Sequence, residues 1–316
     1  MRFFTNSEMR MWQRCHRKWY LSQFLGLHKK GEYDFNKPFG IGNRIHSALE
    51  VYYSPDDSRD PLDYLEQGHL DDIRDAPEYL HDDINKEYEL CRIMLEGYMD
   101  WLEETGADQA LTVLEAERPR AARLEEGKDR MLLAKLDARI RHDELGERIS
   151  LDHKTVQSLE YLSPEMRLNT QALTQTLIER LLDVEEGREW QPTGTMFNML
   201  KKVKRTVRAK PPFYSREFAR HTDSELRNHW RHIIHIADEI EAAENALSQG
   251  GDHQFIVEPS PTADCHWSCP FFQLCPMMDN DADRSDLYME DKFERVDPLQ
   301  RYAGMIGAED IVASAR

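Results

Sequence analysis

With 316 residues, 40% of them hydrophobic and 9% aromatic, the chain can bury a full core as one large domain or two small ones, and wholesale disorder is excluded. The first residues lack the apolar run of a signal peptide, and no uncharged apolar stretch is long enough to span a bilayer, so a cytoplasmic protein is expected. A net charge of −18 governs solubility and long-range steering, yet it leaves room for a local surface of the opposite sign.

Thr5-Asn6-Ser7-Glu8 has the spacing of a capping box and predicts a helix to about Phe24, carrying Cys15, Arg17, Lys18, Trp19 and Tyr20. A second helix follows Gly40, with Ile41, Ile45, Leu49 and Tyr52 on one stripe and His46 and Glu50 sharing another face. Residues 54–81 are acidic and proline-containing and read as a surface excursion. A helix from about Asn85 to Glu104 then buries Leu90, Met94, Tyr98 and Trp101. From there the hydrophobic period changes to two. Strands are predicted at Thr112–Pro119, Met131–Arg141 and Arg148–Thr155, the last two forming a hairpin around Asp143-Glu144-Leu145-Gly146. A helix from about Pro164 to Leu182, a strand near Thr195–Lys201 and a long helix over Asp223–Ser248 complete the pattern. From Asn280 onward the chain is polar with weak signals, as expected of a loosely attached extension.

Charge is segregated along this path. Acid concentrates between Asp56 and Glu104 and after Asp279, whereas Lys201 to Arg220 holds eight Lys or Arg against one acid, Glu217, a net +7. Such a segment is either a solvated basic face or a grip for phosphates.

Two constellations carry chemistry. On the strand Ile149–Thr155 the side chains alternate, so Asp152 and Lys154 share one face while Ile149 and Leu151 take the other. On the preceding strand Lys135, Asp137 and Arg139 alternate with Leu136, Ala138 and Ile140, and pairing brings Asp137 within reach of Asp152. Adjacent carboxylates repel unless a cation lies between them, and hard oxygen ligands select Mg²⁺ or Mn²⁺. The bland alternative is an ion pair between neighbouring surface strands.

The second constellation is Cys265, Cys269 and Cys275, a C-x3-C-x5-C run. In a cytoplasmic setting cysteines serve as thiols or ligands rather than disulfides. Four thiolates make an iron–sulfur or Cys₄ zinc site, so a fourth must come from Cys15, in a basic and aromatic context, or from Cys91, on an apolar helical stripe. His266 could in principle replace Cys15, but its position between Cys265 and Cys269 favours a neighbouring side chain.

Taken in order, these residues resemble the RecB-like branch of the PD-(D/E)XK nuclease superfamily. More narrowly they are similar to the iron–sulfur exonucleases shared by CRISPR adaptation systems, AddB-type helicase–nucleases and many bacteriophages. The matching positions are Cys15, Gly42-x3-His46, Glu117, Asp137, Asp152-His153-Lys154, Gln171 and Cys265/Cys269/Cys275. Departures are Gln175 where the family has tyrosine, Ala134 where it has glycine, and x3 rather than x2 in the cysteine run.

The resemblance implies an α/β fold: a restriction-endonuclease-like core with a central mixed sheet flanked by helices. In it a [4Fe–4S] cluster on Cys15, Cys265, Cys269 and Cys275 joins the N- and C-terminal segments. It implies a nuclease domain over 1–279 with a helical insertion at about 54–105, and an extension over 280–316. His46, Asp137 and Asp152 become ligands of Mg²⁺ or Mn²⁺, with the carbonyl of His153 as a further one. Lys154 becomes the catalytic lysine, Glu117 a residue that shapes the site (Glu115 being its rival on the same strand face) and Gln171 part of a DNA-contacting motif.

The function so implied is a DNA exonuclease acting on single strands or ends in recombination, repair or phage DNA metabolism, with room for a recombination partner protein. Lys201, Lys202, Lys204, Arg205 and Arg208 would grip phosphates, and Tyr214 would either stack on bases or belong to the core. A non-catalytic DNA-binding or assembly module that keeps the fold and cluster is the rival.

Overall fold

The computed structural model describes residues 1–30, 40–159, 166, 168–188, 194–280 and 282–302. These form two compact units, one built from 1–34, 123–133 and 227–316, the other from 35–122 and 134–226.

In the first unit strand β1 (Arg2–Thr5) runs parallel to the start of β4 (Arg130–His142), with Phe3 opposite Met131. The capping box forms as expected: Thr5 Oγ1 accepts from the Glu8 N–H at 3.2 Å and opens α1 (Asn6–Arg14). The single helix expected to reach Phe24 is instead broken. Cys15 is extended, its N–H still bonding Met11 O at 2.9 Å, and α2 (His16–Trp19) restarts with the Cys15 sulfur as its cap. A π-helical turn, Tyr20–Phe24, follows.

Packing explains why this broken segment is well fixed. Trp19 is fully buried and donates its indole N–H to buried Glu8 at 3.1 Å, while Trp12 stacks on His16 at 4.0 Å. Most of α7 (Asp223–Ser248) belongs to this unit, and its Asp238, Glu241 and Glu244 pair with the buried Arg130 and with Arg2.

The C-terminal residues depart from expectation. After α8 (His253–Ile256), α9 (Cys265–Ser268) and α10 (Leu274–Asn280), the stretch 282–302 is not a loose extension. It forms α11 (Ala282–Lys292) and β8 (Phe293–Arg295), which pairs antiparallel with β2 (Leu27–Lys29). Phe293 stacks on Phe271 at 5.2 Å and shares a buried cluster with Leu21, Leu27, Leu274 and Met278. Residues 303–316 lie outside the described residues.

In the second unit β3 (Leu111–Arg123), the later part of β4, β5 (Glu147–Val156), β6 (Gly194–Lys201) and β7 (Tyr214–Arg220) form a mixed sheet. β4/β5 and β6/β7 are antiparallel and β5/β6 parallel. The predicted hairpin is present, with left-handed Gly146 closing its turn (φ 65°). One face is apolar: Ala138, Ile140, Ile149 and Leu151 pack under α3 (Ile41–Tyr53) and α5 (His81–Thr105) with Ile45, Leu49, Met94 and Tyr98. The acidic stretch expected as an excursion contains a further helix, α4 (Pro61–Asp75), capped by Asp60. Helix α6 (Thr170–Glu185) replaces the longer helix expected from Pro164, and Pro164 itself is outside the described residues.

Phe293→Ala removes a ring from the C-terminal cluster and should lower unfolding free energy by about 3–5 kcal/mol. Urea denaturation measures this, and a change within error would mean that the C-terminal stretch does not support the fold.

Candidate active site

Strand alternation places Asp137, Arg139, Arg148, Ser150 and Asp152 on the face opposite the apolar cluster, and all five are buried. Both faces of β4 and β5 are therefore covered, one in hydrocarbon and one in polar groups. Ala138 lies opposite Leu151, so Asp137 and Asp152 are the next residues along the two strands.

Each carboxylate has its own set of partners. Asp137 Oδ2 accepts from the His153 backbone N–H at 2.7 Å and lies 3.3 Å from His46 Nδ1, on α3. Asp152 Oδ2 lies 2.7 Å from the Lys154 ammonium. Gln171, in the first turn of α6, closes a ring: its amide N–H reaches Asp152 Oδ1 at 3.3 Å, and its oxygen accepts from Lys154 at 3.3 Å. The sequence-predicted His46, Asp137, Asp152, Lys154 and Gln171 thus come together.

Electrostatics separate the two acids. Burial raises the Asp137 carboxyl, but the bond and charge of His46, with the His153 N–H, outweigh it and hold it at about 2. Burial and then the Asp137 charge push Asp152 up to about 6, against the pull of Lys154. Burial likewise depresses His46, and its bond to Asp137 reverses this and raises it. Among the described residues no three of His, Cys, Asp or Glu are drawn tightly enough together to hold a metal ion. The donor chemistry still fits a hard cation, because two buried carboxylates on adjacent strands are mutually repulsive and only one has an ammonium beside it.

Other expected residues fall differently. The imidazole of His153 is buried on the apolar side, stacked on Tyr53 at 5.3 Å, and burial depresses it to about 3. Glu117 lies in β3 and its side chain is outside the described residues. Glu115, its rival, is engaged by Arg118, Arg120 and Arg139. Glu50, one turn after His46, sits near Asp137. Burial and then nearby acids raise its carboxyl against Lys135 and Arg59, a role its i+4 spacing hinted at.

Helix α6 presents Gln171, Gln175, Glu179 and Asp183 at four-residue steps, a stripe along one face. Glu179 accepts from Arg139 at 2.9 Å and lies 3.2 Å from Arg148, and Asp183 pairs with Arg148 and Arg188. Gln175, in place of the family's tyrosine, is buried within this layer.

In the basic segment Lys204, Arg205, Arg208 and Lys210 are exposed, and Lys201 and Lys202 half-buried. The expectation that Tyr214 stacks on bases is corrected: its ring is buried, and its hydroxyl donates to Met94 O at 2.7 Å. Arg205 lies 3.5 Å over Phe213 and donates to the Tyr214 hydroxyl. Gly97 of α5 leaves room for this pair, since a Cβ there would stand 2.7 Å from the Tyr214 oxygen.

Cys15, Cys265, Cys269 and Cys275 all lie in the first unit. Cys15 Sγ accepts from the backbone N–H of Lys18 and of Ser260, each at 3.4 Å, and Cys265 Sγ from that of Thr262 at 3.3 Å. The backbone N–H and then the hydroxyl of Thr262 lower the Cys265 thiol. Burial raises Cys269, with the charges of Cys265 and Cys15 adding to it, and raises Cys275, to which Cys15 again adds. Cys91 lies in the second unit, fully buried and pushed up to about 12 by that burial.

Residues 4–276 match the family model for the PD-(D/E)XK nuclease superfamily. No curated protein matches the chain. No helix among the described residues is long and apolar enough to cross a membrane.

Replacing Glu179 by Ala takes one carboxylate partner from each of two buried guanidiniums, leaving Arg139 with Glu115 and Arg148 with Asp183, and a loss of about 1–3 kcal/mol in unfolding free energy is expected from urea titration. A loss under about 1 kcal/mol, the scale of an exposed pair, would show that the α6 layer is not a buried ionic contact.

Proposed function

We propose that this chain, which belongs to the PD-(D/E)XK nuclease superfamily, is a metal-dependent DNA exonuclease acting on single strands or DNA ends. The observation that carries the reading is the buried pair Asp137 and Asp152 on adjacent strands, with Lys154 2.7 Å from the second. Mg²⁺ or Mn²⁺ held by Asp137, Asp152 and His46 would polarise a phosphodiester and lower the pKa of an attacking water.

The chain's own groups do the rest. Lys154 supplies a fixed positive charge where negative charge develops on phosphate oxygens. Gln171 holds both Lys154 and Asp152, so the ammonium is aimed before substrate arrives. Lys201, Lys202, Lys204 and Arg208 offer cations to the backbone of a strand without reading its sequence. Products would carry 5′-phosphate and 3′-hydroxyl ends. Digestion from free ends, in recombination or phage DNA metabolism beside a partner protein, follows the resemblance of the ordered motif set.

We assign Cys15, Cys265, Cys269 and Cys275 to a structural [4Fe–4S] cluster. Support comes from four thiols drawn from both ends of the sequence into one unit, with N–H groups aimed at two of the sulfurs.

End-labelled and covalently closed single-stranded DNA, incubated with Mn²⁺ and protein prepared without oxygen, test the activity. Labelled ends should be digested and circles spared, and Lys154→Ala should lower kcat by about 10²–10³-fold with its fold intact. Wild-type rates from Lys154→Ala would end the catalytic assignment, and rapid linearisation of circles would make the enzyme an endonuclease.

Cys15→Ser should give colourless, loosened protein, whereas Cys91→Ser should stay brown. Stoichiometric zinc without iron in anaerobic preparations would refute the cluster.

A further inference from the structure

We infer that Arg216 and Asn198 are positioning residues that fix the orientation and tautomer of His153, and through it the placement of the site carboxylates. The activity arm of this inference rests on the nuclease reading. The three residues form a row across three strands: His153 is in register with Asn198 on β6, and Asn198 with Arg216 on β7.

The direction of every proton in the row follows from donor chemistry. A guanidinium has only donors, so the Asn198 oxygen that Arg216 Nε meets at 3.3 Å is the acceptor. The Asn198 amide nitrogen, also a donor only, therefore points at His153 Nδ1, 3.0 Å away. Nδ1 accepts, and the ring proton lies on Nε2. That Nε2 is buried without a hydrogen-bond partner among the described residues.

Arg216 also ties down the surroundings. Its remaining N–H groups donate to Ala107 O at 2.7 Å, Asp108 at 2.6 Å, the Tyr53 hydroxyl at 2.9 Å and the Tyr98 hydroxyl at 3.0 Å. Tyr53 stacks on the His153 ring, and His46 meets that ring edge-on at 5.8 Å. Tyr53 and His46 lie two turns apart on α3. One guanidinium, its side chain 10% exposed, thus directly holds the helix that supplies His46 and, through Asn198, the strand that supplies Asp152 and Lys154. The His153 backbone N–H on that strand holds Asp137. Arg216 has no hydrogen bond to Asp137, Asp152 or Lys154 among the described residues, so it acts through others. Its ion pair with Asp108 also removes it from the cations of the basic segment.

Asn198→Asp is the discriminating variant. One carboxylate oxygen can still meet Arg216, but the other faces Nδ1 as an acceptor and moves the proton there. Long-range ¹H–¹⁵N spectra of histidine-labelled protein should show His153 Nδ1 unprotonated in the wild type and protonated in Asn198→Asp. Cleavage of single-stranded DNA with Mn²⁺ should lose about 10- to 100-fold in kcat with KM little changed. If Asn198→Asp fails to fold, Arg216→Lys keeps the charge without the fork and should show the same split.

A protonated Nδ1 in the wild type, or wild-type kcat in a folded Asn198→Asp, overturns the inference. A wild-type chain that cuts no DNA defeats the nuclease reading alone, and the spectra still decide this one.

Discussion

Two carboxylates placed side by side under a helix are an electrostatic problem, and most of the second unit is arranged around it. In water Asp137 and Asp152 would feel each other weakly, but with solvent removed their repulsion grows severalfold. His46 answers one of them and Lys154 the other, each at hydrogen-bond range. The consequence is an asymmetric pair, with Asp137 held low and Asp152 pushed up. A divalent cation held between them would remove that asymmetry by satisfying both at once, which is why the same side chains are proposed as a ligand set.

Such a pair is useful only if its backbone does not give way. β4 and β5 are gripped on one face by aliphatic and aromatic side chains of α3 and α5, and on the other by the ionic layer of α6. Hydrocarbon packing is strong but non-directional. The ionic layer is directional, since a one-residue slip of β5 would take Arg148 away from Glu179 and Asp183 together. Strand position along its own axis is thus pinned by charge, and depth by hydrophobic contact.

Much of this was legible in the sequence. Alternation in 131–141 and 148–155 marks both strands and assigns Asp137, Asp152 and Lys154 to one face, because period two is a local property. His46 and Gln171 followed from the resemblance, not from pattern. What was missed depends on distant partners. β1, β2 and β8 are four residues or fewer and form only because another strand lies beside them. β7 was hidden by its own charge: Arg216 looks like a solvated side chain until Asp108, Tyr98 and Tyr53 arrive from 108, 118 and 163 positions away. The break at Cys15 also escaped detection, since a helical pattern runs straight through it. The sulfur's hydrogen bond from Ser260, 245 residues along the chain, has no local signature.

The path of the chain has a consequence for how the protein emerges from the ribosome. The first unit takes residues 1–34, then 123–133, then 227 onward, so its opening segment is made long before its closing one. At about 5–20 residues per second, Phe3, Phe4, Trp12 and Trp19 wait on the order of 10–40 s before α7 is synthesised. During that interval Trp12 lacks Glu239, the α7 carboxylate to which its indole N–H donates, so this unit closes only once the segment from Arg227 onward is made. The second unit, complete by Leu226, is available to condense first.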